Sequence, residues 1–199
     1  MMIFARHGQT EYGKEERYEG FSNSPLTNLG KKQAEQLGIF CKSKKIYKII
    51  SSPSMRSLET AKTIGTILKI NPEIDKRLRE IYYGSWEGEL KELLRKTPEW
   101  KKRQKDIFNF VHPGYFKQHM GESYKSQYIR LSPLFKELLK ENSPVLIISH
   151  YGVIRCAVKF FKEIKGNIFP TFSYSNSSLF VVDRSNDKII TNIIDIKNG

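Results

Sequence analysis

Two short apolar runs, Met2-Ile3-Phe4-Ala5 near the start and Val145-Leu146-Ile147-Ile148 far along the chain, each lead into a histidine beside a glycine-containing turn. The first continues as Arg6-His7-Gly8-Gln9-Thr10 and the second as Ser149-His150-Tyr151-Gly152. Apolar runs of this length, bounded by turn signals, suit strands buried on both faces, as in parallel sheets. In open α/β sheets ligands bind at the carboxyl ends of such strands, where the following turns present backbone N–H groups. A strand ending in Arg and His beside a glycine predicts an oxyanion site. Two such strands in one sheet predict that they share it.

The rest of the chain alternates in the same manner. Thr27 is the predicted N-cap of a helix whose Gly30, Ala34, Leu37 and Cys41 recur on one narrow face. Residues 47–51 read as a strand, 54–69 as a helix with Ala61, Ile64 and Leu68 inward, and 73–76 as a short strand. Arg56 falls in the first turn of its helix, a poor place for a cation. Either it faces solvent or something anionic binds there. Residues 122–141 read as helical, with Pro133 either kinking the helix or starting a second one capped by Ser132. A helix over 153–161 turns Ile154, Val158 and Phe161 inward. Strands over 178–183 and 188–194 follow, joined by a turn at Ser185-Asn186-Asp187. This order predicts an α/β fold, a three-layer α/β/α sandwich with a mostly parallel central sheet. Residues 89–125, interrupted by Pro98, Pro113, Gly114 and Gly121, read as a small inserted lid within a single domain spanning 1–199. Between Lys91 and Lys105 that lid carries seven Lys or Arg against two Glu.

A net charge of +13 admits three readings: a Lys-rich solvated surface, steering of anionic small molecules, or nucleic-acid binding. The lysines are dispersed, and no zinc-finger spacing or aromatic-studded basic strand is present, so no nucleic-acid partner is expected. No apolar run approaches a membrane span, and Arg6 cuts short any signal-peptide core. Cys41 and Cys156 are isolated and make no disulfide framework, so a cytoplasmic setting is expected. His112 and His119 lack the carboxylate company and spacing of a metal site, and no cofactor is expected. The sequence alone assigns no oligomeric state.

Taken in order, Arg6-His7-Gly8-Gln9-Thr10, Pro25-Leu26-Thr27 with Gly30, Ser51-Ser52-Pro53 with Arg56 and Thr60-Ala61, Glu80 with Gly84 and Trp86-Glu87-Gly88, Gly121-Glu122-Ser123, and Ser149-His150-Tyr151-Gly152-Val153-Ile154-Arg155 resemble the motifs of the histidine phosphatase superfamily, the phosphoglycerate mutase-like proteins. The resemblance runs nearly the whole chain. It implies an α/β sandwich with its site at the strand ends, and a small phosphate monoester as partner. His7 would attack phosphorus to form a phosphohistidine, with Arg6 and Arg56 lowering its pKa so that the ring stays neutral. Arg6, Arg56 and His150 would hold the phosphoryl oxygens, Thr10 and Gly8 would add to the phosphate pocket, and Glu80 would serve as proton donor and acceptor.

Two positions depart from the family pattern. Gly13 stands where Asn is frequent, and Tyr151 where Gly is usual, its ring narrowing the pocket. Trp86-Glu87-Gly88 resembles the phosphatase form of the third motif, so a metal-independent phosphomonoesterase is expected. The alternatives are a cofactor-dependent phosphoglycerate mutase, which would require a bisphosphorylated primer, and a non-catalytic phosphate-binding member, which would lack His7 or Glu80. The basic lid predicts a substrate with a second anionic group, met by Lys101, Lys102 and Arg103.

Overall fold

Alternation along the strands decides which face each side chain covers. The computed structural model of the chain describes residues 1–115, 119–185 and 188–196. Strand β1 is Met2–Arg6, followed by the single turn α1, Glu11–Lys14, and by α2, Asn28–Lys42. Next come β2, Lys48–Ser51, α3, Met55–Leu68, and the two-residue β3, Glu73–Ile74. Two short 3-10 turns, Lys76–Leu78 and Gly84–Trp86, lead to α4, Lys91–Arg95, and α5, Pro98–Lys105. The chain closes with α6, Tyr124–Leu138, β4, Val145–Ser149, α7, Tyr151–Phe161, β5, Ser178–Ser185, and β6, Lys188–Asp195.

The six strands form one sheet in the order β3-β2-β4-β1-β5-β6. The first four run parallel, and β5 and β6 add an antiparallel edge. Met2, Phe4, Ile50, Val145, Ile147, Phe180 and Val182 point to one face, where they pack with Leu131, Phe135, Val153 and Phe161 of α6 and α7. Ile3, Ala5, Ile49, Leu146, Ile148 and Leu179 point to the other, against Leu37 and Cys41 of α2 and Ala61 and Ile64 of α3. This is the three-layer α/β/α sandwich that the alternating order of strands and helices predicts. Both cysteines are buried and unpaired. Among the described residues no helix is long and apolar enough to cross a membrane.

Three local expectations need correction or refinement. Helix α6 runs unbroken through Pro133, so Ser132 caps no second helix; its hydroxyl donates back to the Tyr128 carbonyl at 2.7 Å. Pro133 is tolerated because it lies on the exposed side, where water can meet the Ile129 carbonyl that loses its helical donor. The helix starts at Ser123, whose side chain and that of Ser126 close a reciprocal capping box. The turn expected at Ser185-Asn186-Asp187 falls largely outside the described residues.

The described residues between 90 and 123 form no separate core. Leu94 and Phe108 are buried in the α6–α7 side of the sandwich, with Trp100, Ile107 and Phe110 packed against it. Trp100 stacks on Trp86 at 6.0 Å between ring centroids.

Candidate active site

Strands β1 and β4 are adjacent and parallel, with Arg6 paired to Ser149 and the His7 N–H donating to the Ser149 carbonyl at 3.0 Å. Both histidines therefore leave the sheet at the same end of neighbouring strands. Their rings meet with centroids 5.2 Å apart. Helix α3 delivers Arg56 from its first turn, 1% exposed, into the gap between them. Its Nε lies 3.2 Å from His7 Nε2 and its Nη2 3.3 Å from His150 Nδ1. The remaining donors of that guanidinium hold the carbonyls of Glu19, Gly20 and Ser22. The cation that looked misplaced at a helix start is thus the centre of the cluster.

The protonation of both rings follows from their partners. The Gly8 carbonyl can only accept, so His7 Nδ1, 2.8 Å away, carries the proton and Nε2 keeps its lone pair toward Arg56. An arginine can only donate, so His150 Nδ1 accepts and its Nε2–H goes to Ser52 Oγ at 2.8 Å. Burial, then Arg56 and Arg6, hold the His7 pKa well below its usual value. The direction is the one expected from the two arginines, but loss of water is the larger cause. Burial and Arg56 lower His150 in the same way.

Glu80, 6% exposed, approaches from the loop after Leu78. Its Oε1 accepts from the Ile81 N–H and Gln127 Nε2, and its Oε2 from the Gly152 N–H. Arg6, His7 and Glu80 line one cavity of about 200 Å³, together with Gly13, Glu19, Lys91, Arg103 and Tyr151. An adjoining pocket of about 250 Å³ shares Glu80 and is lined by Gly20, Phe21, Ser54 and Arg79. Arg6 Nε is buried without a hydrogen-bond partner among the described residues.

Gly8 and Thr10 sit beside this cavity with their polar groups engaged elsewhere. The Gly8 N–H donates to Thr60 Oγ1 at 3.1 Å. The Thr10 hydroxyl accepts from the Gly13 N–H and donates to Glu19 Oε2 at 2.7 Å, so it caps α1 rather than facing the cavity. Of Lys101, Lys102 and Arg103, which were expected to meet the substrate, only Arg103 lines the cavity, together with Lys91 from the start of α4; Lys101 and Lys102 are exposed on α5. The Tyr151 ring does line the cavity, and its hydroxyl donates to the Phe172 carbonyl at 2.6 Å.

Sequence reasoning named Ser52 within a motif but gave it no role, and missed the other groups here. Ser52, Ser54 and Ser57 surround His150 Nε2 at 2.8, 3.3 and 3.5 Å. Gln127 is fully buried on the apolar face of α6, and a polar residue on such a stripe was the available signal. Glu19 lies in an irregular loop, where no periodicity marks it.

His112 has a structural setting. Its Nδ1–H donates to the Glu122 carbonyl at 2.7 Å, and the rings of Tyr83, Trp86 and Phe110 enclose it. Burial pushes its pKa down to about 4. A group with a depressed folded-state pKa takes up its proton more readily when unfolded, so stability is lost as pH falls from about 6.5. Full protonation of His112 would remove about 3 kcal/mol at one pKa unit per 1.36 kcal/mol. The thermal midpoint is therefore expected to fall between pH 7 and pH 4.5, and His112→Phe to flatten that decline. An equal decline in both proteins would assign the acid sensitivity elsewhere.

Two buried strand-end histidines joined through a buried arginine form the cluster that the sequence motifs anticipate. The sequence profile of the histidine phosphatase superfamily (branch 1) matches residues 2–195, and the chain belongs to that family. Its fold is similar to that of YhfR from Bacillus stearothermophilus, with a TM-score of 0.82, 26% identity, and 98% and 97% of the two chains covered. Phosphoserine phosphatase 1 of Hydrogenobacter thermophilus is 29% identical over 91% of this chain and 85% of its own length. Glucosyl-3-phosphoglycerate phosphatase of Mycolicibacterium vanbaalenii is 29% identical over 77% of this chain and 70% of its own. The chain spans about half the length of the mycobacterial relatives that it matches at 26% identity.

Proposed function

We propose that the protein is a phosphomonoesterase that passes the phosphoryl group of a small monoester to His7 and then to water. The observation that carries this reading is the neutral His7 ring, whose Nε2 lone pair faces Arg56 inside the cavity that Glu80 lines. Nε2 attacks phosphorus, and the ester oxygen leaves with a proton from Glu80. Water then attacks the phosphohistidine as Glu80 takes its proton back, which regenerates both groups. Arg6 and Arg56 offset the charge that builds on the phosphoryl oxygens. His150 holds Arg56 through Nδ1 and is itself held by Ser52, which makes it a positioning group for the cluster.

Two guanidiniums already supply the positive charge that a metal would bring. Among the described residues no three His, Cys, Asp or Glu side chains gather as a metal site requires. Hydrolysis of p-nitrophenyl phosphate is therefore expected to persist in excess chelator. Activity that depends on a bisphosphoglycerate primer would instead indicate a mutase, and monoester binding without turnover a non-catalytic member. Glu80→Gln is expected to lower kcat by about 10²–10⁴, the usual worth of general acid–base help. The loss should be smallest for substrates with good leaving groups, which need the proton least.

The relatives named for phosphoserine and glucosyl-3-phosphoglycerate support a substrate bearing a second anionic group. Lys91, held below its usual pKa chiefly by burial, and Arg103, with a buried Nε that has no partner among the described residues, line the cavity beside His7 and fit that group. O-phosphoserine and 3-phosphoglycerate should then give lower KM than uncharged-tail esters.

A further inference from the structure

A carboxylate is an unwelcome neighbour for a phosphate, yet Glu19 stands inside the same cavity. Its side chain is 7% exposed, and its Oε1 lies 3.6 Å from Arg56 Nε, the atom that also faces His7 Nε2. Its main-chain carbonyl accepts from Arg56 Nη2, which leaves the residue little room to swing away. Oε2 accepts from the Thr10 hydroxyl, whereas Oε1 is buried with no hydrogen-bond partner among the described residues. A phosphate delivered to His7 must approach the same guanidinium, so ionised Glu19 and the incoming oxyanion would compete for one cation at short range.

We propose that Glu19 is a phosphate-binding residue that works as its neutral acid: an oxyanion enters as Glu19 takes one proton from solvent, and the free Oε1–H then donates to it. The inference rests on the cavity being the phosphate site of the function proposed above. The groups that face Glu19 come from every element around it: Arg6 from β1, Thr10 from the loop after it, Arg56 from α3, Glu80 from the loop beyond, and Lys91 at the start of α4. Arg56, Thr10 and Arg6 favour the carboxylate, while burial and Glu80 favour the acid. Burial is the largest influence and leaves the pKa above the usual carboxylate range. A second negative charge in the cavity would raise it further.

Sulfate is the suitable probe because it stays a dianion across neutral pH, so any proton taken up belongs to the protein. Titration calorimetry in buffers of different ionisation enthalpy should show about one proton bound per sulfate near pH 7.5. The sulfate Kd should rise close to tenfold per pH unit above the Glu19 pKa. Glu19→Gln, which keeps the shape and supplies a permanent donor, should bind sulfate without proton uptake and at least tenfold more tightly at pH 8. His7→Gln should retain the uptake, which separates Glu19 from the ring. Equal uptake in wild type and Glu19→Gln, loss of uptake in His7→Gln, or a pH-independent wild-type Kd would each overturn the proposal. Absence of sulfate binding in all three proteins would overturn it too. Wild-type hydrolysis of p-nitrophenyl phosphate decides separately whether the phosphatase reading stands.

Discussion

His7→Ala is expected to reduce phosphomonoesterase turnover by roughly 10⁴-fold or more, the scale seen when a covalent nucleophile is removed from a preorganised site. The size follows from the geometry. Gly8 fixes the proton on Nδ1, so Nε2 carries the one lone pair of the ring, which accepts from Arg56 Nε–H until an incoming phosphoryl group draws that donor to its own oxygens. Removing the ring leaves the cations and Glu80 without an acceptor for the phosphoryl group. Rapid mixing with substrate followed by an alkaline quench should trap an acid-labile phosphoenzyme in the wild type and none in the variant. Turnover within tenfold of wild type in His7→Ala would end the phosphohistidine reading. Because His7 is buried and accepts from Arg56 Nε, its loss leaves a cavity and an unpartnered donor, so the variant's far-UV circular dichroism is measured alongside to separate an inert fold from an unfolded one.

Gly30→Ala is expected to act on the fold instead. The loop after β1 and the first turn of α2 approach so closely that a Cβ on Gly30 would sit 2.1 Å from the Gln9 carbonyl oxygen. A Cβ on Gly8 would likewise sit 2.2 Å from the Gly30 carbonyl oxygen. Both obstacles are main chain, so no rotamer change relieves them. Thr27 tightens the same junction, since its N–H donates to the Gln9 carbonyl and its Oγ1 accepts from the Gly30 N–H. Overpacking against a rigid partner costs about 3 kcal/mol or more at such a site. That corresponds to a fall in Tm of roughly 6–12 °C for a domain of this size. Thermal unfolding of Gly30→Ala measures it directly. An unchanged midpoint would mean that the loop and α2 do not meet as described.

Those two residues also show what could be read without coordinates. The apolar runs before His7 and His150, and the Gly30-Ala34-Leu37-Cys41 stripe, carry strong periodicity, and the layers follow from them. Arg56 was half legible from its awkward place in a helix first turn, whereas Glu80 was legible only through motif resemblance, because nothing in local pattern separates it from a surface charge. Glu19 was not legible, since its importance comes from a through-space approach to Arg56 across 37 residues of chain. The basic lid misled in part for a related reason. Charge counting treats Lys101, Lys102 and Arg103 alike, but helix α5 turns only the last of them inward. Pro133 misled because the rule against helical proline is weaker on a wet helix face.

The pairing of β1 with β4 separates the spacing of the two histidines from the shape of the cavity. Neighbouring strands lie about 4.8 Å apart, and the two rings, 5.2 Å between centroids, inherit that spacing from the sheet itself. Insertions or deletions in the loop over residues 90–123 would leave this distance untouched. Changes among the residues that line the cavity from this segment, Lys91 and Arg103, can therefore alter which molecule fits while the two histidines stay in register.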